Sequence, residues 1–162
     1  MHYVYFKTMK SKPASANSTK PPQQLDQQLC FALYSAGLAM NKVYRTLLSR
    51  LGLTYPQYLV MLVLWEGDAL TVSDIGERLY LDSATLTPLL KRLEVAGLLN
   101  RVRSAKDERQ VIISLTAEGR AMKRQAGSVP GAIFCATGCE IDELLALKKQ
   151  LTGLRESLAS HS

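Results

Sequence analysis

The sequence lacks any long apolar run. Its longest, Tyr58–Trp65, stops at Glu66. A membrane-spanning helix needs about 20 such residues, so neither a transmembrane segment nor a membrane partner is expected. Met1–Lys10 mixes aromatics with lysines and has no continuous apolar stretch of the kind a signal peptide carries. Histidine is nearly missing: the only two, His2 and His161, lie at the ends of the chain. That removes the imidazole of a Ser/His/Asp triad. With only three cysteines, it also leaves too few ligands for a structural zinc site. No phosphate-binding loop and no Gly-rich dinucleotide fingerprint occurs, so no cofactor is expected. Three cysteines without an export signal argue against a disulfide framework and for a reducing, cytoplasmic compartment.

What is present is one globular domain's worth of chain. Its 162 residues are 47% apolar and 21% charged, which excludes wholesale disorder. The net charge is +6, from 20 basic and 14 acidic residues. It is uneven: residues 1–50 hold seven bases and one acid, residues 99–124 seven bases and three acids, and residues 125–162 three bases and four acids. A basic chain invites a polyanionic partner, although a plain solubility charge explains the same sum.

Residues 1–22, with Pro13, Pro21 and Pro22 among lysines and serines, read as a disordered basic tail. From 23 to 55 apolar residues recur every three or four positions, a helical stripe ended by Gly52. Pro56 opens a second helix that runs to Glu66. Thr71 and Asp74 form a capping-box variant that starts a short helix, Val72–Leu79. After a break at 80–82, Asp82 or Ser83 caps the next helix, unless Thr87 is the cap and Pro88 its first residue. Leu98–Arg103 and Arg109–Leu115 alternate as two strands around a polar turn. Thr116 caps a helix that ends near Gly127; Gly131–Gly138 is ambiguous; Ile141–Leu158 is helical again. The expected domains are the tail, an N-terminal helix over 23–55, a central unit over 56–127 and C-terminal helices over 128–162.

This order describes a winged helix-turn-helix in a mainly α fold with a two- to three-stranded sheet. The physics suits double-stranded DNA, because a helix fits the major groove and a cationic hairpin can reach the neighbouring backbone or minor groove. The candidate contacts are Ser83, Thr85, Thr87, Lys91 and Arg92 on the helix, and Arg101, Arg103 and Arg109 on the hairpin, with Asp107 beside them.

The residues from Leu70 to Gly119 resemble the MarR family of bacterial repressors. The likeness is carried by Leu70-Thr71-Val72-Ser73-Asp74-Ile75-Gly76, by Lys91-Arg92-Leu93-Glu94 through Leu99, by the wing Asp107-Glu108-Arg109, and by Leu115-Thr116-Ala117-Glu118-Gly119. The resemblance implies a homodimer held by its N- and C-terminal helices. It also implies that Arg109 enters the minor groove with Asp107 positioning it.

Cys30 lies near the start of the long helix, where the partial positive charge favours a thiolate; as a free cysteine it fits a packed core equally well. Tyr34 is one turn further on. Tyr44 is fourteen residues beyond Cys30, roughly 21 Å along a straight helix, so it meets only the Cys30 of an antiparallel second copy. Tyr55 is placed similarly. For both tyrosines interface packing is the alternative. Phe31, Leu33, Met40 and Trp65 read either as core or as the lining of an apolar pocket.

The segments Leu29–Tyr34, Tyr55–Leu59 and Leu79–Ser83 extend the resemblance to the OhrR branch of that family, the repressors that sense organic hydroperoxides. That similarity runs from about Gln24 to Leu158. It implies that Cys30 is the peroxide-reactive cysteine, with Tyr44, Tyr55 and Tyr34 hydrogen-bonding around it. It also implies a two-cysteine type, in which Cys135 closes an intersubunit disulfide; Cys139, four residues away, is the other candidate. Two other readings stand beside this one: a repressor released by a small aromatic ligand, and a small thiol peroxidase for which the wing has no use.

Overall fold

The computed structural model describes residues 23–105, 107 and 109–161. The expected tail over 1–22 lies outside the described residues, as do Lys106 and Glu108 in the polar turn. The chain divides into two compact units, Met1–Ala36 and Gly37–Ser162.

In the first unit, the helical stripe does not start as one helix at residue 23. Leu25–Gln27 is a single 3-10 turn, closed by the N–H of Gln27 on the Gln24 carbonyl at 3.1 Å and that of Gln28 on Leu25 at 3.0 Å. Gln28 is extended (φ −87°, ψ 120°). Its carbonyl then accepts from the N–H groups of Phe31 and Ala32, so Gln28 caps α1 (Leu29–Leu48). Periodicity could not show this break, because a 3-10 turn and an α-turn place apolar residues at nearly the same steps.

In the second unit, α1 ends in a 3-10 turn, Ser49–Leu51, and Gly52 at φ 64° closes it in the left-handed conformation that glycine adopts without strain. Helix α2 (Tyr55–Glu66) starts at Thr54, which shares a capping box with Gln57; Pro56 sits in its first turn. It buries Tyr58, Val60, Met61, Val63 and Leu64, and so forms the centre of the unit. Helix α3 (Val72–Leu79) begins with the foreseen Thr71–Asp74 box. Tyr80, at φ 55°, turns the chain into α4 (Ser83–Val95), capped by Asp82 through the Thr85 N–H at 2.6 Å.

Pro88 therefore lies inside α4, and Thr87 is not its cap. A proline there forfeits one backbone bond, at a cost of about 3 kcal/mol in a helix interior. The opposing term is burial: Leu86, Leu90 and Leu93 are fully buried on the other face, and each contributes about 1.5–3 kcal/mol.

Three strands make one antiparallel sheet in the order β1 (Leu70–Thr71), β3 (Val111–Leu115), β2 (Leu99–Arg103). The register pairs Leu99 with Leu115, Arg101 with Ile113 and Leu70 with Ile113. Strand β3 starts at Val111 rather than Arg109, because Arg109 and Gln110 belong to the turn: Gln110 donates its N–H to the Asp107 carbonyl at 2.9 Å. Helices α5 (Ala117–Gln125), α6 (Val129–Thr137) and α7 (Ile141–Ala159) follow. The ambiguous stretch is thus helical, opened by Pro130 in the first turn of α6 and closed by Gly138 at φ 63°.

The sheet is locked to the helices at one joint. Asp68 accepts from the Leu115 N–H at 2.8 Å and from the Arg120 guanidinium at 2.7 Å. The Trp65 indole donates to the Gly119 carbonyl at 2.9 Å, and Lys123 donates to the Trp65 carbonyl at 2.8 Å. Thus α2, β3 and the start of α5 hold one another through charged and half-buried polar bonds. Trp65 also meets Tyr58 edge-on at 6.1 Å, a core role for the indole. Nothing in the sequence pattern around Gly67-Asp68 pointed to this joint.

Candidate functional site

The α3–α4 unit presents one outward face. Ser83, Ala84, Thr85, Pro88, Lys91 and Arg92 are exposed, while Thr87 is half-buried. One of the three hydroxyls foreseen as contacts, that of Thr87, already has a partner. The Thr85 N–H donates to the Asp82 carboxylate at 2.6 Å and holds that carboxyl below the usual carboxylate range. The Thr87 hydroxyl donates to the Ser83 carbonyl at 2.6 Å.

The wing divides its cations. Arg103 and Arg109 are exposed. Arg101 is only 21% exposed and pairs with Glu94 of α4 at 3.5 Å, which braces the strand against the helix. The Asp107 carboxylate accepts the Arg109 N–H at 3.0 Å. The aspartate thus fixes the backbone at Arg109.

A second set of residues gathers at the end of α1 and the start of α2. Tyr44 and Tyr55 stack with centroids 4.1 Å apart, and Tyr58 lies 6.1 Å from Tyr44. Burial, then the neighbouring phenols of Tyr55 and Tyr58, push the Tyr44 phenol up to about 12. Tyr58 is raised as well, first by burial and then by Tyr55. Tyr44 and Tyr58 are therefore protonated at neutral pH, and the pair has O–H groups to donate. The folded chain holds these protons more tightly than the unfolded chain does. The resulting stabilisation is full below pH 10 and disappears as pH rises through about 12. An alkaline titration followed at the phenolate absorbance band, with circular dichroism in parallel, should show Tyr44 ionising near pH 12 and together with loss of structure. Ionisation of every tyrosine near pH 10 in a folded protein would contradict it.

In the first unit, Cys30 is the second residue of α1 and is exposed; Tyr34 is 63% exposed. Cys135 sits in the last turns of α6 and Cys139 in the link to α7; both are exposed and no disulfide joins any of the three. Cys139 is held by its neighbour: its N–H donates to the Thr137 hydroxyl at 3.3 Å and its thiol to the Thr137 carbonyl at 3.5 Å. One contact was not foreseen at all. The Arg155 guanidinium of α7 lies 4.3 Å over the Tyr80 ring, at the turn before α4.

Comparison with known proteins agrees with this architecture. Residues 42–126 match the family model described as transcriptional regulator SarA/Rot. The chain is 53% identical over 137 residues to the HTH-type transcriptional regulator TtmR of Methylorubrum extorquens, covering 85% of this chain and 70% of that one. It is 50% identical over 135 residues to the organic hydroperoxide resistance transcriptional regulator of Bacillus subtilis, covering 83% and 92%. Among solved structures it is similar to AbfR of Staphylococcus epidermidis. Reduced AbfR bound to DNA superposes with a TM-score of 0.71 at 38% identity, covering 83% of this chain and 94% of that one. Disulfide-formed AbfR gives 0.58 at 38% identity, covering 80% and 91%. The winged helix, its capped α3–α4 pair and these relatives agree: the chain belongs to the SarA/Rot family of transcriptional regulators, within the MarR-type winged-helix proteins, and is a regulator rather than an enzyme.

Proposed function

We propose that the chain is a cytoplasmic, homodimeric repressor that binds double-stranded operator DNA and is released by organic hydroperoxide through oxidation of Cys30. The observation that carries this reading is the stacked Tyr44–Tyr55 pair. Two phenols stacked together are a donor site for a thiolate or sulfenate, and a second copy in antiparallel arrangement brings its Cys30 to them. The exposed apolar residues of α1 and α7, among them Leu38, Met40, Leu147 and Leu151, are the surface that the second copy covers.

The chemistry is a two-step transfer. The Cys30 thiolate attacks the outer oxygen of the hydroperoxide and the O–O bond breaks. With one proton taken up, the products are a sulfenic acid and the alcohol. The thiol of Cys135 from the second copy then attacks that sulfur, a disulfide forms and water leaves. A disulfide requires the two Cα atoms within about 7 Å, so closing it shifts the interface helices. That in turn disturbs the spacing of about 34 Å between two DNA-reading helices. The Bacillus relative is named for organic hydroperoxide resistance and AbfR has a disulfide-formed state; both support the reading.

Non-reducing electrophoresis after stoichiometric cumene hydroperoxide tests the pairing. The account expects a covalent dimer in the native protein and in Cys139→Ser, and none in Cys135→Ser. The reverse result for the two variants would make Cys139 the partner. At the wing, Arg109→Ala should weaken operator binding about tenfold or more and lower the salt dependence; unchanged affinity across salt would remove Arg109 from the interface.

A second reading has one observation in its favour. A cavity of about 350 Å³ is lined by Leu38, Asn41, Arg45, Leu53, Thr54, Tyr55 and Pro56. Its arginine and apolar walls suit a small aromatic anion, so release by such a ligand remains the competing account, and the Cys30→Ser variant separates the two.

A further inference from the structure

The outward face of α4 sets small apolar side chains, Ala84 and Pro88, among its hydroxyls. The Thr85 N–H donates to Asp82 and the Thr87 hydroxyl donates to its own helix. The two acids near this face are also engaged: Asp82 caps the helix and Glu94 pairs with Arg101. Directly opposite the buried Leu86, Leu90 and Leu93 stand Ala84 and Pro88, both exposed and four residues apart on one ridge. Lys91 and Arg92, exposed just beyond, supply the positive charge that draws this face toward phosphates. The surface most able to enter a major groove is therefore apolar at its leading edge and cationic behind it. In the major groove the only apolar group that distinguishes one base from another is the 5-methyl of thymine.

We propose that Ala84 and Pro88 read thymine methyl groups, so that specificity at the centre of each half-site rests on apolar contact rather than on the hydroxyls of α4. This rests on the operator-binding reading above and adds to it the kind of base that is read. Pro88 also explains its own presence in a helix interior. Its ring gives a rigid apolar surface on the exposed side of the helix, away from the buried leucines.

The test uses the reduced full-length protein and a DNA fragment from upstream of its own gene, with the protected site located by footprinting. Each thymine in the site is replaced by deoxyuridine, which removes only the methyl, and affinity is read by fluorescence anisotropy at fixed salt. One or two positions per half-site should lose roughly fourfold on replacement, the worth of one buried methyl, and symmetric replacement in both half-sites should exceed tenfold. In Ala84→Gly the thymine-to-uracil ratio at one of those positions should fall to near one. Because the ratio is taken within one protein, any weakening of the helix cancels. Specific binding with equal affinity for thymine and uracil at every position would overturn the proposal and leave operator binding intact. Discrimination that persists unchanged in both Ala84→Gly and Pro88→Gly would overturn the assignment to this ridge. Absence of any specific site would remove the parent reading and the proposal with it.

Discussion

Alanine in place of Gly119 should destabilise the fold by about 3 kcal/mol or more, through backbone overlap at a packed site. A Cβ built there falls 2.0 Å from the Leu98 carbonyl oxygen and 3.1 Å from a methyl of Leu115. The Leu98 oxygen cannot swing aside, because it accepts the Thr116 N–H at 3.1 Å. Nor can the first turn of α5 move freely. The Gly119 N–H donates to the Thr116 hydroxyl at 3.0 Å and its carbonyl accepts the Trp65 indole. Accommodating one methyl therefore means opening the joint among α2, β3 and α5. In a domain of this size such a loss lowers the melting temperature by roughly 10 °C. Gly127→Ala is the control, since nothing lies within 4 Å of an added Cβ there, and its effect should stay within about 1 kcal/mol. Thermal melts of the two variants check the contrast; equal and small shifts would mean that α5 docks less tightly on the sheet than the distances indicate.

Serine in place of Cys30 should leave DNA affinity within about threefold and abolish the response to hydroperoxide. A hydroxyl is close to a thiol in size, and Cys30 is exposed, so the substitution costs little packing. A serine hydroxyl, however, is not ionised near neutral pH and does not reduce a peroxide bond, so the sulfenic acid never forms. The effect is all or none rather than graded: organic hydroperoxide at tenfold excess should dissociate the native complex and leave the variant bound. A Cys30→Ser protein that still lets go of DNA under peroxide would move the sensing elsewhere, and release by a small aromatic carboxylate would place it in the cavity beside Arg45.

The fold was legible where its signals are local. The Thr71–Asp74 box, the Thr116 cap and the closing Gly52 each act within four residues, and the structure places each of them in that role. What stayed hidden depends on residues far apart in the chain. Strand β1 is two residues long and exists only because Leu70 and Thr71 pair with Ile113 and Ile112. No period can be read from two residues. Pro88 argued for a later start to α4, and burial of three leucines on the far face outweighed it. The candidate site shows the same division. The Asp107–Arg109 pair is two residues apart and its hydrogen bond followed from the motif. The occupied hydroxyl of Thr87 did not, since composition shows that a hydroxyl is present but not where its proton goes. Asp68 and Arg120, fifty-two positions apart in the chain, had no sequence signal. Tyr44 and Tyr55 were expected to meet a cysteine, and their stacking on each other is new information from the structure.

The central claim is a reversible thiol switch on DNA binding, and one titration tests it most directly. Reduced protein is bound to the fluorescent operator fragment at fixed salt. Organic hydroperoxide is then added, followed by excess dithiothreitol, with anisotropy recorded throughout. The account predicts a fall to the free-DNA value after about one equivalent of peroxide per Cys30 and full recovery after the reductant. Tight binding that ignores peroxide, or a loss that dithiothreitol does not restore, would contradict it.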